Sequence, residues 1–152
     1  MQLTKFSDYA LRILMFADSA DGRLVTIDQM SAAYQISRAH LTKVVNRLTR
    51  SEFLIAVRGR SGGLKLAKEP SAIRLGDVVR ATEPDFEVVE CFGTGNACVI
   101  SGRCKLAGVM ADARDQFLAT LDDYTLADIA LKPRDFMRLE KRASSRDRND
   151  AD

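Results

Sequence analysis

Apolar residues recur at helical spacing in three stretches that fill the first third of the chain. The first stretch ends near Ser19, the second covers residues 27–34 and the third covers residues 38–50. A hydroxyl residue that can cap the helix precedes each one: Thr4 or Ser7, Thr26, and Ser37. Two short helices joined by a brief turn, the second of them basic, are typical of a helix-turn-helix motif.

Two short apolar runs come next, at residues 54–57 and 64–66, and they predict a pair of strands. Between them lies Arg58-Gly59-Arg60-Ser61-Gly62-Gly63. We expect the Gly62-Gly63 pair to supply the positive φ that a hairpin tip needs, while the two arginines make the tip basic. The pattern is that of a wing attached to the helix-turn-helix.

The remaining elements are less regular. A fourth helix is predicted from Ser71 to Ala81, and Pro84 ends it. Residues 85–104 have little periodicity and include all three cysteines of the chain. A long helix follows from about Lys105 to Asp122, with an apolar stripe that favours pairing with a second copy. Thr125 caps a last short helix that runs to Leu131 and is broken by Pro133.

The elements together predict a mainly α fold with a small β-wing. We expect a winged helix-turn-helix DNA-binding domain at residues 1–83 and a cysteine-rich loop at 84–104. A dimerisation helix and a C-terminal helix would occupy 105–140, and the polar segment 141–152 would be disordered.

Charge is distributed unevenly along the 152 residues, although the chain as a whole carries only +2. Residues 38–68 hold eight basic groups and one acid, a net of +7, which leaves −5 for the rest. A basic segment of this kind is expected to neutralise DNA phosphates. No apolar run approaches the roughly 20 residues that span a bilayer, and residues 1–5 do not open a signal peptide, so we expect a cytoplasmic protein with no membrane contact.

The predicted DNA contacts lie on the polar side of the third helix and on the wing. Side chains on the helix can hydrogen-bond base edges and phosphates, and the wing arginines can enter a minor groove. We interpret His40, the single histidine, as a phosphate or base contact rather than a metal ligand. The predicted set is Ser37, Arg38, His40, Thr42, Lys43, Asn46, Arg47, Arg58, Arg60 and Ser61.

Cys91, Cys98 and Cys104 lie in a glycine-rich stretch, with six residues between the first two and five between the last two. A disulfide is disfavoured in the cytosol, and the paired spacing of a structural zinc site is absent. Wide spacing of thiolates favours an iron–sulfur cluster, with zinc, a thiol switch and inert thiols as the alternatives. A 4Fe–4S cluster would lack one ligand, for which the spacing leaves open Asp8, Asp85, Glu87, Glu90, His40 or a small molecule.

Several motifs together resemble the nitric-oxide-sensing iron–sulfur repressors of the NsrR type, in the family that also includes IscR and RirA. The resemblance covers about residues 1–131. The matching segments are Met1-Gln2-Leu3-Thr4 with Phe6 and Asp8-Tyr9, Ser37–Leu48, the wing Val57–Gly63, Ile73–Arg80, Leu121–Asp128 and the three cysteines.

This resemblance implies a homodimer with paired long helices and one iron–sulfur cluster in each subunit. Cys91, Cys98 and Cys104 would be ligands, and Asp8 of the partner subunit would be the fourth. It further implies a repressor that binds a palindromic operator in double-stranded DNA and releases it when nitric oxide reacts with the cluster. A 4Fe–4S cluster is favoured and a 2Fe–2S cluster is the alternative.

Two features depart from the NsrR pattern. The first cysteine gap is longer than usual, and the Glu90-Cys91-Phe92 triplet resembles RirA, the iron-responsive relative. A zinc-stabilised regulator and an iron–sulfur carrier are further alternatives, although a carrier would leave the basic segment and the wing without a purpose. No nucleophile–base set, phosphate-binding loop or carboxylate dyad is present, so we do not expect an enzyme.

Overall fold

A computed structural model of the chain describes residues 2–136. It confirms the mainly α fold with a two-stranded antiparallel sheet. The helices are α1 (Lys5–Ser19), α2 (Ile27–Tyr34), α3 (Arg38–Arg50), α4 (Leu75–Thr82) and α5 (Lys105–Asp122). The strands are β1 (Leu54–Val57) and β2 (Gly63–Leu66), and 3-10 turns lie at Pro70–Ala72, Glu90–Phe92 and Leu126–Ile129.

Hydroxyl side chains begin the first three helices, as predicted. Thr4, rather than Ser7, caps α1, and its oxygen accepts a hydrogen bond from the Ser7 N–H at 3.3 Å. Thr26 forms a capping box with Gln29, in which each side chain bonds the other residue's backbone N–H. The Ser37 side chain caps α3 by accepting a hydrogen bond from the His40 N–H at 3.4 Å. These caps satisfy backbone donors that a helix start otherwise leaves open.

The core lies where α1, α3 and the sheet meet. Its largest side chains with less than 2% exposure are Ile13, Leu14, Met30, Leu41, Leu48, Leu54, Ile73 and Leu126. One polar pair sits within it, because the hydroxyls of Ser7 and Thr82 lie 2.8 Å apart and join α1 to α4. Burying these hydroxyls is tolerated because each has a hydrogen-bond partner.

The strands pair from Leu54 opposite Leu66 to Val57 opposite Gly63. Val25, between α1 and α2, adds a short antiparallel bridge to Leu64, with N···O distances of 2.8 and 2.9 Å. The wing is therefore tied to the helix-turn-helix along both of its strands, since the Phe53 N–H before β1 also donates to the Leu48 carbonyl of α3 at 2.9 Å.

The expected role of the Gly62-Gly63 pair was wrong. The positive φ at the wing tip, +115°, belongs to Gly59, whereas neither Gly62 nor Gly63 has a positive φ. The pair is needed for close approach instead. A Cβ on Gly62 would overlap the Val57 carbonyl oxygen, and one on Gly63 would lie 2.8 Å from that of Val25.

The fourth helix is shorter than predicted. The chain from Ser71 forms a 3-10 turn and then an extended segment before α4 begins at Leu75. The reason is backbone pairing with the residues after α5, which competes with helix formation. The Leu126 N–H donates to the Ile73 carbonyl at 2.8 Å, and the Leu75 N–H donates to the Tyr124 carbonyl at 3.0 Å. The end at Thr82, before Pro84, agrees with the prediction.

After α5 the chain returns to the helix-turn-helix. Thr125 caps a 3-10 turn that ends at Ile129, where we expected a helix as far as Leu131. Pro133 begins a helical turn instead of only ending the previous one. Phe136 in that turn is buried, with ring centroids 5.1 Å from Phe16 and 5.9 Å from Tyr34. The predicted disordered tail at 141–152, and residues 137–140, lie outside the described residues.

Helix α5 is fixed to α4 at its C-terminal end. Two nitrogens of the Arg80 guanidinium donate to the two carboxylate oxygens of Asp122, at 2.6 and 2.5 Å. These bonds lower the pKa of Asp122 below its usual value. Gly76 leaves room for the fork, since a Cβ there would overlap the Asp122 carboxylate.

The apolar stripe of α5 is half-buried over part of its length and exposed over the rest. Met110, Phe117 and Leu121 are half-buried, while Leu106 and Val109 are 59% and 60% exposed. No α5 residue is fully buried. Within residues 2–136, none of the helices is long and apolar enough to cross a membrane. The division into 1–83, 84–104 and 105–140 stays a prediction.

We expect Gly62→Ala to lower the free energy of unfolding by about 2 kcal/mol, because the new Cβ would overlap the Val57 carbonyl and force the wing tip to shift. Gly108→Ala is the matched control. Gly108 lies in α5 with no atom near the added Cβ, so alanine should raise stability by about 0.5–1 kcal/mol. Thermal denaturation of both variants measures the difference, and equal stabilities would contradict the close approach.

Candidate nucleic-acid interface and cysteine loop

The predicted DNA-contacting side chains of α3 are exposed, with one exception. Ser37, Arg38, His40, Lys43, Asn46 and Arg47 are exposed, whereas Thr42 is half-buried. Leu41, Val44, Val45 and Leu48 fill the opposite side of the helix and pack into the core. The helix thus presents one polar, basic face along its whole length.

Three side chains of that face have partners within the chain. The Thr42 hydroxyl donates to the Arg38 carbonyl one turn earlier, at 2.8 Å. Arg38 pairs with Asp28 of α2 at 2.5 Å, an exposed ion pair that contributes little to stability. Arg47 donates through Nε to the Ala81 carbonyl near the end of α4, also at 2.5 Å. Arg47 therefore also connects α3 to α4, a contact that the sequence did not indicate.

Arg58, Arg60 and Ser61 lie at the exposed tip of the wing. The tip follows β1, and Phe53, which precedes β1, is hydrogen-bonded to Leu48 near the end of α3, so the wing is attached to that helix. The structure places basic groups on both parts of the predicted interface, as a protein that follows the phosphate backbone requires.

The three cysteines occupy different positions along one loop. Cys91 lies in the Glu90–Phe92 turn and is half-buried, Cys98 is exposed, and Cys104 is the half-buried residue before α5. None forms a disulfide. Thiols with this access can react with metal ions or oxidants, which sets them apart from inert core cysteines.

Side chains within the loop order its backbone. Asn96 accepts a hydrogen bond from the Cys98 N–H at 2.9 Å and donates to the Ser101 hydroxyl at 2.7 Å. Glu90 accepts from the Ala97 N–H at 3.0 Å. The loop also contacts α5, because the Arg114 guanidinium lies 5.2 Å from the centre of the Phe92 ring. The roles of Asn96 and Arg114 were not predicted from the sequence.

Asp8 lies on the first turn of α1 and is engaged by Arg12 one turn later. The Arg12 guanidinium contacts both carboxylate oxygens, with Nε at 2.9 Å from Oδ1 and Nη2 at 2.7 Å from Oδ2. The four-residue spacing of an acid and an arginine on a helix is a signal from which this pair could have been predicted. Arg12 also lies 6.0 Å from the ring centres of Tyr9 and Tyr34.

The predicted ligands do not form a ready-made metal site. Among the described residues, no group of three or more His, Cys, Asp or Glu side chains could hold a metal ion. Of the alternative fourth ligands, Glu90 bonds the Ala97 N–H and Asp85 bonds the Glu87 N–H, so both have roles within the loop. His40 is on the exposed face of α3, as the DNA interpretation requires. The donor chemistry fits an iron–sulfur cluster, and the ligand arrangement stays a prediction.

Comparison with known proteins decides the family. The model of the Rrf2 family, described as an iron-dependent transcriptional regulator, matches residues 3–132. The chain belongs to the Rrf2 family. Rrf2 proteins are DNA-binding transcriptional regulators, so the chain is a regulator and not an enzyme, as the sequence analysis concluded.

Curated Rrf2 relatives match at nearly full length. The transcriptional regulator NsrR of Bacillus subtilis is 45% identical over 143 residues, which cover 93% of this chain and 98% of the relative. NsrR of Oceanobacillus iheyensis is 43% identical over 141 residues, covering 91% and 96%. The resemblance to NsrR found in the sequence is thereby confirmed.

Solved structures of Rrf2 regulators share the fold. CymR, the global cysteine regulator of Bacillus subtilis, matches with a TM-score of 0.72 and 23% identity over 86% of this chain and 96% of CymR. IscR of T. potens matches with a TM-score of 0.67 and 21% identity over 85% of each chain. At these identities the likeness supports the winged helix architecture alone.

Proposed function

We propose that this Rrf2 regulator is a homodimeric repressor that binds a palindromic operator and releases it when nitric oxide reacts with an iron–sulfur cluster held by Cys91, Cys98 and Cys104. The observation that carries the proposal is the position of the cysteine loop. It is the only connection in the sequence between α4, part of the DNA-binding unit, and α5, whose exposed apolar side chains favour a second copy.

Both ends of the loop are attached to elements that must move if a change in the loop is to affect DNA binding. At its start, the Glu83 carboxylate accepts hydrogen bonds from the Thr4 N–H at 2.9 Å and the Thr4 hydroxyl at 3.0 Å. Thr4 caps α1, so a movement of residue 83 acts on the first helix of the DNA-binding unit. At its end, Cys104 is the residue that precedes α5. A change in the loop can therefore alter how the two DNA-binding units of a dimer are spaced.

The DNA-binding half of the proposal rests on charge and exposure. Residues 38–68 carry a net charge of +7 and contribute both α3 and the wing. In the proposed complex, α3 lies in the major groove, where Asn46 and Lys43 reach base edges, and Arg58 and Arg60 contact the flanking minor groove. A twofold dimer places two such units on adjacent half-sites.

The cluster-binding half rests on the donor set. Three thiols that are not in disulfides, on one loop, suit iron better than the oxygen ligands available elsewhere. When bound, the cluster supplies thiolate-ligated iron that is reactive toward nitric oxide. Because the thiols do not form a preassembled group, binding is coupled to a rearrangement of the loop. A 4Fe–4S cluster requires a fourth ligand, which we assign to Asp8 of the partner subunit.

The contact between Asp8 and Arg12 bears on that assignment. Both carboxylate oxygens contact Arg12, so an oxygen that ligates iron would share its negative charge with the guanidinium. The hydrogen bonds from Arg12 weaken Asp8 as a ligand. Oxygen is in any case a weaker ligand than sulfur for the soft iron of a thiolate-bound cluster. This would leave one corner of the cluster readily exchanged for a small molecule.

Iron-responsive repression is the second candidate function. It is favoured by the long gap between Cys91 and Cys98 and by the Glu90-Cys91-Phe92 triplet. In that case the loss of iron, rather than nitric oxide, would be the signal.

Anaerobic reconstitution with iron and sulfide tests the two candidates together. We expect nitric oxide to weaken operator binding of the loaded dimer about 5–150-fold, the range of ordinary allosteric coupling, and Cys98→Ser to abolish this response. Binding is measured by fluorescence anisotropy on a duplex that holds the operator. A response to an iron chelator without one to nitric oxide would favour the iron-responsive function. A colourless zinc-loaded protein indifferent to both would contradict both.

The assignment of Asp8 predicts that Asp8→Asn lowers the response to nitric oxide and speeds loss of the cluster to a chelator, because the amide is a poorer ligand for iron. Asp21→Asn is the matched control, since Asp21 lies in an exposed turn with a positive φ that asparagine adopts readily. Visible absorption and circular dichroism of the loaded proteins report the ligand change. Identical spectra and nitric oxide sensitivity in Asp8→Asn and the parent would remove Asp8 from the site.

The proposed dimer predicts that Val109→Asp raises the dimer dissociation constant about 100-fold, since a twofold interface loses the buried valine twice, at about 1.5 kcal/mol or more each. Ala119→Asp introduces the same charge at an exposed α5 position away from Leu106 and Val109 and should leave the dimer intact. Sedimentation equilibrium measures both constants. Equal values for the two variants would place the dimer interface elsewhere.

A further inference from the structure

A cleft between the first turns of α1 and the adjacent side of α3 borders the interface described above and shares His40 and Lys43 with it. It has a volume of about 220 Å³ and is lined by Lys5, Phe6, Tyr9, His40, Lys43 and Val44. Phe6, Tyr9 and Val44 form an apolar floor, of which Val44 is buried and the two rings are half-buried. The rim is formed by the exposed side chains of Lys5, His40 and Lys43.

The rim is suited to a negatively charged ligand. Neither Lys5, His40 nor Lys43 forms a salt bridge with an acid among residues 2–136. The N-terminus of α1 is not itself available to an anion, because the Glu83 carboxylate already accepts hydrogen bonds from Thr4 there. Any attraction for an anion therefore comes from the side chains, with Lys5 contributed by α1 and the other two by α3.

We propose that this cleft binds one sugar–phosphate unit of the DNA backbone beside the groove that α3 enters, with the phosphate on Lys5 and the deoxyribose on the floor formed by Phe6 and Tyr9. The proposal rests on the DNA-binding half of the proposed function and extends that interface from α3 to α1. An apolar floor with a cationic rim matches a sugar next to a phosphate better than a free inorganic anion.

Continuity with the α3 face favours DNA over a protein segment. His40 and Lys43 belong both to the rim and to the face that carries Asn46, within the stretch of net charge +7. The competing occupant is the cysteine loop of a second copy, because residues 85–104 carry a net charge of −2 and expose Val99 and Ile100. That alternative predicts an effect on the dimer rather than on DNA.

The test is Lys5→Gln, which removes the charge while keeping a residue of similar length and helix propensity. Loss of one phosphate contact in each subunit of the dimer should reduce the slope of log K against log salt by about 1.8 and weaken binding about 60-fold at 0.1 M salt. The loss should be the same on an operator duplex and on a random duplex, because a backbone contact does not distinguish sequences. Lys5→Arg should retain the parent slope.

Lys132→Gln is the matched control, since Lys132 is exposed, lies after the last 3-10 turn and is assigned no DNA contact. It should leave both the affinity and the salt slope unchanged. Binding is measured by fluorescence anisotropy on the full chain, and the dimer dissociation constant by sedimentation.

Three outcomes would overturn one or both proposals. If Lys43→Gln lowers the slope and Lys5→Gln does not, the α1 site is wrong and the α3 interface stands. If neither variant lowers it, the proposed DNA interface fails as well. If Lys5→Gln weakens the dimer with an unchanged slope, the cleft binds a second copy and not DNA.

Discussion

The attachment of α5 to the DNA-binding unit is the constraint on which the rest of the molecule depends. The Arg80 fork to Asp122 and the backbone bonds that join Ile73 to Leu126 and Leu75 to Tyr124 fix the C-terminal end of α5 against α4. Because Arg80 lowers the pKa of Asp122, the favourable contribution of this pair is present above the ordinary carboxylate pKa and is lost only as the pH falls below it. The attachment is therefore maintained throughout the neutral range.

This attachment makes the cysteine loop a closed segment whose two ends are fixed. The loop leaves α4 beside Glu83, which is bonded to the cap of α1, and it enters α5 at Cys104. A loop anchored at both ends can pass a rearrangement on to its anchors, whereas a freely hanging loop could not. The anchors are the features that would allow a chemical event at the cysteines to alter α1, which lies against α3 in the core.

Local signals predicted most of the fold, and long-range backbone pairing accounts for most of what was missed. The cap at Thr26, the stripe of α3 and the bounds of α5 follow from residues within one or two turns, so a single sequence is enough to predict them. The short α4 depends instead on Tyr124 and Leu126, some fifty residues away, whose pairing with Ile73 and Leu75 no local pattern reveals. The Gly62-Gly63 pair was assigned to the right turn for the wrong reason, since its role is close approach to Val57 within the hairpin and to Val25 from a distant part of the chain.

The predicted site shows the same difference between features set by local sequence and features set by long-range packing. The polar face of α3 follows from helical periodicity, and the structure exposes it as expected, but the link from Arg47 to Ala81 and the cleft next to Lys5 arise only when α1 and α4 pack beside it.

The cysteines are an opposite case, in which spacing suggests a ligand set that the polypeptide does not assemble by itself. A loop held by Asn96, Glu90 and the Arg114 contact to Phe92 is ordered by weak, solvent-exposed bonds, each of which contributes about 1 kcal/mol or less. Coordination of iron by three thiolates is stronger than these bonds, so the same sequence can support one loop arrangement without the metal and another with it. Such a loop is suited to report whether the proposed cluster is intact.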